Sequence, residues 1–306
     1  MPRKILSSLK RRYLLAKERT SYRNLLRSLQ SPLLVDGYPE TQNFGDALNV
    51  FLGEYLSKRP VFPSRFVDHD TINGRHFYSV IGSICQQSSR NTVVWGSGFI
   101  SSDYNVKSFV KPDRVLASRG PLTRAIYLKN GVDCPEVFGD PALLLPLIYN
   151  PEVEAKYEYG FIPHYSDMES EWGKQLRQRT DTLTINMMIG GDYIQFVQKL
   201  KSCKKVVVSS LHGLILCHAY QIPVCWVKLS DNLIGGSFKF NDYLLSVNKT
   251  TQTPKDLTNK FTNIEDLEFD SEPIKVDIRP LIHSCPFIEK NVQSELLQKA
   301  AYYDDF

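Results

Sequence analysis

Residues 206–227, VVVSSLHGLILCHAYQIPVCWV, constrain the fold more than any other stretch of the chain. Val206, Val207 and Val208 form a β-branched run of the kind buried on both faces of a parallel sheet. Ser209 and Ser210 occupy helix-cap positions, and Leu211, Leu214, Ile215 and Ala219 share one helical face. Gln221-Ile222-Pro223 ends that helix, and Val224 to Val227 forms a second strand. The turn puts His212 at a helix N-terminus, beyond the C-terminal end of a strand. Free backbone N–H groups and the helix dipole favour anions there. Ligands of open α/β sheets collect at the same edge. A pair of serine caps beside a structural histidine gives the same pattern, so spacing alone leaves both readings open.

Similar units precede this stretch. Leu33-Leu34-Val35 reads as a first strand, followed after a polar loop by NFGDALNVFLGEYL. There Asn43, Phe44 and Gly45 form a turn, and Asp46 opens a helix running to about Ser57. Gly45 lets backbone approach a ligand, and Asp46 can cap the helix or take a proton. Tyr78–Ile84 and Thr92–Trp95 are further apolar runs, the second leading into the small-residue turn Gly96-Ser97-Gly98. That turn is not GxSxG, so Ser97 does not read as a hydrolase nucleophile. Arg114–Ser118 is a strand with Arg119 at its end, and Pro121 starts a helix that stops at Asn130-Gly131. Val137-Phe138 reads as a strand, and Gly139-Asp140-Pro141 repeats the turn, cap and proline arrangement. Beyond the Asn150-Pro151 linker, Tyr157–Pro163 begins a second α/β unit, with His164 after its strand. A helix is expected at about Asp192–Cys203, a polar loop over Asp231–Asn241, and a terminal helix at Glu289–Ala301 that packs back across both units. Repeated strand–turn–helix units predict parallel α/β architecture. The expected divisions are a segment 1–30, an α/β domain 31–150, a second α/β domain 151–285, and a helix and tail 286–306.

Charge is unevenly spread. Residues 1–30 hold nine Lys/Arg and one acid, Glu18, although the 306-residue chain carries a net charge of only +4. The remainder is therefore mildly acidic. Ile5, Leu6, Leu9, Tyr13 and Leu14 recur at roughly helical spacing, as in a basic amphipathic helix able to lie on an anionic membrane surface. A solvated helix packed on its own domain is the alternative. No basic stripe with interleaved aromatics marks nucleic-acid binding. No run of 18 apolar residues and no signal-peptide core is present. The six cysteines show no CxxC, which fits a reducing cytoplasm. His212 and His218 are six apart, on different helix faces, so they are not a zinc pair.

Taken together, NFGDALNVFL, WGSGF, SRGPLTRAIYLKNGV with FGDPALLLP, FIPHYSD, SSLHGLILCHAYQIP and FKFNDYLLSV resemble, in this order, the polysaccharide pyruvyl transferase family. The resemblance runs from about Asn43 to Val247. It implies two Rossmann-like domains with a cleft between them, a GT-B-like fold. It also implies transfer of a pyruvyl group from phosphoenolpyruvate onto two hydroxyls of a sugar, giving a cyclic ketal in cell-surface polysaccharide synthesis. By the same resemblance His212 is the active-site histidine and Arg119 binds the donor. Some members carry arginine two residues before the histidine. Here that position is Ser210, and Lys228, Arg124 and Lys239 are the candidate substitutes.

Phosphoenolpyruvate carries a phosphate and a carboxylate, so its site needs fixed positive charge and oriented N–H donors. The expected catalytic groups are His212 as general acid, Arg119, and Asp46 as base, with Asp140 as an alternative base or a cap. The expected substrate-binding set is Asn43, Gly45, Ser97, Gly98, Asp140, His164, Ser209, Ser210, Leu211, Gly213 and Lys228. No cofactor or metal is called for. The expected partners are phosphoenolpyruvate, a sugar acceptor carried on a lipid-linked oligosaccharide, and a membrane surface met by residues 1–30. The expected location is the cytoplasm, at the inner membrane face. The rivals are a GT-B glycosyltransferase using a nucleotide sugar and a catalytically silent sugar-binding scaffold.

Overall fold

A computed structural model describes residues 21, 24–26, 28–38, 42–67, 74–104, 108–232, 235–258 and 262–304. Most of the basic amphipathic segment expected over 1–30 lies outside these residues. The described chain is α/β with two parallel five-stranded sheets. The first contains β1 (Leu33–Val35), β2 (Val61–Pro63), β3 (Phe77–Ser79), β4 (Thr92–Trp95) and β5 (Arg114–Ala117), in the order β2-β1-β3-β4-β5. The second contains β6 (Tyr157–Ile162), β7 (Thr182–Thr184), β8 (Cys203–Val208), β9 (Val224–Lys228) and β10 (Lys255–Asp256), in the order β10-β9-β8-β6-β7. Counted from its own first strand and read from the other edge, the second order is the same as the first. In such a sheet the connections diverge between the first and third strands, leaving a crevice at their C-terminal ends.

The valine run is the centre of the second sheet. β8 pairs with β6 from Tyr157↔Cys203 to Ile162↔Val208, and with β9 from Val206↔Val224 to Val208↔Trp226. Val206, Val207 and Val208 are fully buried. The helix Leu211–Ala219 follows after the two serines, capped by Ser210, whose side chain accepts from the Gly213 N–H.

Several expectations change. The run Tyr78–Ile84 forms a strand only to Ser79, because the backbone turns at Gly82, which has φ +126°. Val137-Phe138 contributes a single bridge, Ser118↔Phe138, rather than a strand. Asp231–Asn241 is not one loop. Gly235 and Gly236, with φ of +80° and +55°, make a turn, and a helix runs over Phe238–Ser246. Phe240, Tyr243 and Leu244 bury its inner face at helical spacing. β2 and β7 were not legible: both are three-residue edge strands, too short to carry a period.

One apolar core joins the sheets. It includes Leu33, Phe44 and Trp95 together with Ile162, Phe196, Val208 and Leu214. Phe44 stacks on Phe196 with ring centroids 4.2 Å apart, and Phe51 on Tyr193 at 3.8 Å. The Phe44 N–H donates to the Met187 carbonyl at 2.7 Å. The last helix, Lys290–Lys299, and its flanks do cross both units. The Glu289 N–H donates to the Leu56 carbonyl, and the Tyr303 hydroxyl to that of Leu143. The Tyr302 hydroxyl reaches the Ala219 carbonyl, and the Trp95 indole N–H donates to the Leu281 carbonyl. No described helix is long and apolar enough to cross a membrane.

Candidate active site

The C-terminal edges of the two sheets meet at His212. Asn43 caps the helix Phe44–Ser57 by accepting the Gly45 N–H at 3.1 Å. This sets Gly45 against the imidazole: a Cβ there would lie 2.0 Å from His212 Nδ1. The opposite ring nitrogen, Nε2, lies 3.8 Å from Asp140 Oδ2. Asp140 caps the turn Pro141–Leu144 through Oδ1, which accepts the Ala142 N–H at 2.9 Å. Its other oxygen and His212 Nε2 are both buried without a hydrogen-bond partner. Most buried polar atoms are hydrogen-bonded, so such a pair calls for a water, an ion, a ligand or a reaction to account for it.

Burial dominates the protonation of this pair. It pushes the Asp140 carboxyl up to about 6 despite the Ala142 N–H and the Arg119 charge. It pushes His212 down to about 3, helped by the charges of Arg119 and Lys239. At neutral pH the imidazole is therefore neutral and the carboxylate ionised. Asp46 is pushed up to about 6 by burial, against the pull of Lys239.

Arg119 is fully buried. Its Nε donates to Asp242 Oδ2 at 3.0 Å, its Nη1 to Ser83 Oγ at 2.7 Å and its Nη2 to the Phe99 carbonyl at 2.7 Å. The guanidinium lies over Gly98, where a Cβ would be 2.5 Å from Cζ. Asp242 also accepts from the Thr123 N–H and hydroxyl at 2.9 and 2.7 Å. Arg119 thus presents no exposed donor, and its charge reaches His212 as a field across buried protein. Ser97, whose carbonyl accepts the Arg119 N–H at 3.0 Å, is fully buried, and its hydroxyl has no partner.

The remaining expected residues divide into two groups. His164, half-buried, caps the turn Tyr165–Asp167, and its Nδ1 lies 2.7 Å from Ser166 Oγ. Burial and the Lys239 charge push it down to about 4. Its backbone N–H donates to Ser209 Oγ at 2.8 Å, and that hydroxyl donates to Asp167 Oδ2 at 2.7 Å. Ser209 and Lys228 line a cavity of about 320 Å³ with Asp167, Trp226 and Ser230. Lys228 pairs there with Asp231 at 2.5 Å. Leu211 packs into the core. Gly213 abuts Ile162, with a Cβ position 3.0 Å from Cγ2.

Asp242 and Ser83, which hold Arg119, and Thr123, which holds Asp242, were not recognisable as a set, because they come from three distant segments. Lys239 was legible as a candidate substitute for the absent arginine and Asp242 as a polar residue near a site, but both from an expected loop region rather than the helix Phe238–Ser246 that carries them. Among the described residues no group of three or more His, Cys, Asp or Glu is arranged to hold a metal.

Comparison with known proteins agrees with this arrangement of motifs. The profile of the family described as Polysaccharide pyruvyl transferase matches residues 8–231. A protein of Acanthamoeba polyphaga mimivirus, "Uncharacterized protein L143", is 34% identical over 231 residues, covering 72% of this chain and 76% of its own. The succinoglycan biosynthesis protein ExoV of Rhizobium meliloti (strain 1021) is 30% identical over 223 residues, covering 70% of this chain and 65% of its own length. No solved structure matches. The chain belongs to the polysaccharide pyruvyl transferase family.

Proposed function

We propose that this protein transfers the pyruvyl group of phosphoenolpyruvate to two hydroxyls of one sugar, forming a cyclic ketal during cell-surface polysaccharide synthesis. The observation that carries the reading is the His212–Asp140 pair, two unpartnered buried atoms 3.8 Å apart at the meeting edge of two sheets. A proton donor and a carboxylate that orients it are what addition to an enol ester requires. Family membership and the similarity to a succinoglycan biosynthesis protein support the same reading. The shared strand order supports two Rossmann-like halves in a GT-B-like arrangement.

In this reading the phosphate and carboxylate charges of the donor raise the pKa of His212, opposing the burial that holds it down. His212 protonates the methylene carbon, and the adjacent carbon becomes oxocarbenium-like. The first sugar hydroxyl adds there as Asp46 takes its proton. Phosphate then leaves, and the second hydroxyl closes the ketal. One proton has gone to the methyl group, two have left the hydroxyls and one leaves with phosphate, so the step balances. Asp140 orients the imidazole, and Arg119 contributes positive potential. The acceptor is a sugar of a lipid-linked oligosaccharide, met at the cytoplasmic membrane face with residues 1–30 supplying surface contact. No cofactor enters the reaction.

The test is a thermal-shift titration with phosphoenolpyruvate, phosphate and UDP, followed by phosphate release with candidate acceptors. A saturable rise in Tm with phosphoenolpyruvate beyond that with phosphate is expected, by mass action on the native state. A shift with UDP and none with phosphoenolpyruvate would replace this reading with a nucleotide-sugar glycosyltransferase. Binding without turnover on any acceptor would replace it with a silent scaffold.

A further inference from the structure

Lys239 is the second residue of the helix Phe238–Ser246 and only 9% exposed. The helix is fixed on three sides. Asp242, one turn on, holds Arg119 and Thr123. Phe240 stacks on Trp226 with centroids 4.3 Å apart. Gly120 packs so closely that a Cβ there would sit 1.8 Å from the Asp242 carbonyl oxygen. The Lys239 backbone is therefore held in place.

A buried ammonium is costly unless it is paired. Among the described residues Lys239 has no ion-pair partner and donates no hydrogen bond to the protein. The other candidate substitutes for the absent arginine are both occupied. Lys228 is bound by Asp231, and Arg124 by Glu136 at 3.1 Å and the Cys134 carbonyl at 3.0 Å. Arg119 is neutralised by Asp242. Lys239 alone among these four cations makes no ion pair: its ammonium lies over the Phe240 ring, 5.8 Å from the centroid, and faces the charge of Asp46. Its own charge bears on Asp46, His164 and His212, from three separate elements.

We propose that the Lys239 ammonium is the receptor for an oxyanion of the donor, filling the role that the arginine two residues before the histidine has in other family members. Fixed in the second half but acting on Asp46 of the first, it would hold the donor between the proton-donating His212 and the proton-accepting Asp46. The inference rests on the pyruvyl-transfer reading for the identity of the donor.

The pH dependence follows from the groups around it. Asp46 faces it from the helix Phe44–Ser57, Arg119 from the end of β5, His164 from the end of β6, and His212 from the helix Leu211–Ala219. Burial, with the Arg119 charge, holds Lys239 down to about 8. Asp46, His164 and His212 all titrate below neutrality. An alkaline limb in donor binding therefore belongs to Lys239. The ammonium is lost as pH rises through 8, and affinity falls with it.

Calorimetric titration of the full chain with phosphoenolpyruvate from pH 7 to 9.5 tests this, on wild type, Lys239→Met and Lys239→Arg. Wild-type affinity should weaken above pH 8. Lys239→Met should bind about 10–100-fold more weakly at pH 7, the range expected for losing a charge-assisted hydrogen bond. Lys239→Arg should bind at pH 7 and lose the alkaline limb, because guanidinium stays charged. Parallel titrations with phosphate and with pyruvate assign the end held: the ligand whose affinity falls in Lys239→Met carries the contacted oxyanion. If Lys239→Met binds phosphoenolpyruvate within twofold of wild type, the assignment is wrong while the pyruvyl-transfer reading stands. An unchanged wild-type affinity to pH 9.5 overturns it without any variant needing to fold. A wild type that binds UDP but not phosphoenolpyruvate overturns the reading and the assignment together.

Discussion

The two sheets have one strand order and two uses for the crevice it creates. In the first sheet the chain leaves β1 at Asp36, whose carboxylate accepts from Ser64 Oγ at 2.5 Å, Ser79 Oγ at 2.9 Å and Thr92 Oγ1 at 3.0 Å. All three donors belong to the first sheet and its connections, and they satisfy the carboxylate from within that unit. In the second sheet the chain leaves β8 into His212, whose Nε2 finds no such partner and faces an equally unpartnered Asp140 oxygen from the other sheet. Topology supplies the position twice. Only where polar groups are left unsatisfied, at the cost of burying them, does the position become a site.

The sharpest way to break this comparison is to remove one residue from each crevice. His212→Ala should lower turnover by about 10²–10⁴-fold, the contribution of a positioned acid, with Tm little changed. Asp36→Ala should do the reverse. It leaves three hydroxyls without their acceptor and costs about 2–3 kcal/mol of stability, read by urea denaturation. Equal effects of the two variants on Tm would mean that the crevices do not differ as described.

Gly45→Ala gives the next largest effect. The methyl would enter the space of His212 Nδ1 and displace the ring by an ångström or more. Such misplacement costs about 10²-fold in kcat. Wild-type kcat would show that the ring's seat is not used.

A last variant separates stability from function. Asp140→Asn keeps the Ala142 cap and removes a buried ionisable group whose carboxyl is raised to about 6. A raised carboxyl pKa means that ionisation costs more in the native than in the unfolded state. The penalty is present above the folded pKa of about 6 and absent below the unfolded value near 4. The variant should therefore be more stable at pH 7.5, by up to about 3 kcal/mol, with the gain shrinking toward pH 4. Turnover should fall at both pH values. A pH-independent Tm difference would count against the buried charge.

The legibility of the chain followed the strength of local signals. The valine run, the Ser210 cap and the strand ending at Trp95 carried both hydrophobic pattern and turn chemistry, and they stand as read, while the strand expected over Arg114–Ser118 ends one residue early and Ser209, expected as a second cap, bonds His164 and Asp167 instead. The three-residue edge strands had no room for a period. The helix Phe238–Ser246 was hidden because its glycine turn and polar residues look like a loop until Phe240, Tyr243 and Leu244 find a core. In the site, His212 was legible from its place at a helix start. Asp140 was legible as a cap, but its second oxygen facing His212 was not, since that depends on two sheets meeting. The clamp on Arg119 could not be read for the same reason: Asp242 lies 123 residues further along the chain.

The strap formed by residues 279–304 also sets an order of events during synthesis. The Trp95 indole in the core of the first sheet donates to Leu281, 186 residues later, and Leu143 accepts the Tyr303 hydroxyl 160 residues on. Until those residues emerge, the first sheet has its strands but not the partners that close its core. Such distant contacts are formed late and slow the search for the native state. The nascent first half is therefore the stage at which this chain most needs protection from aggregation.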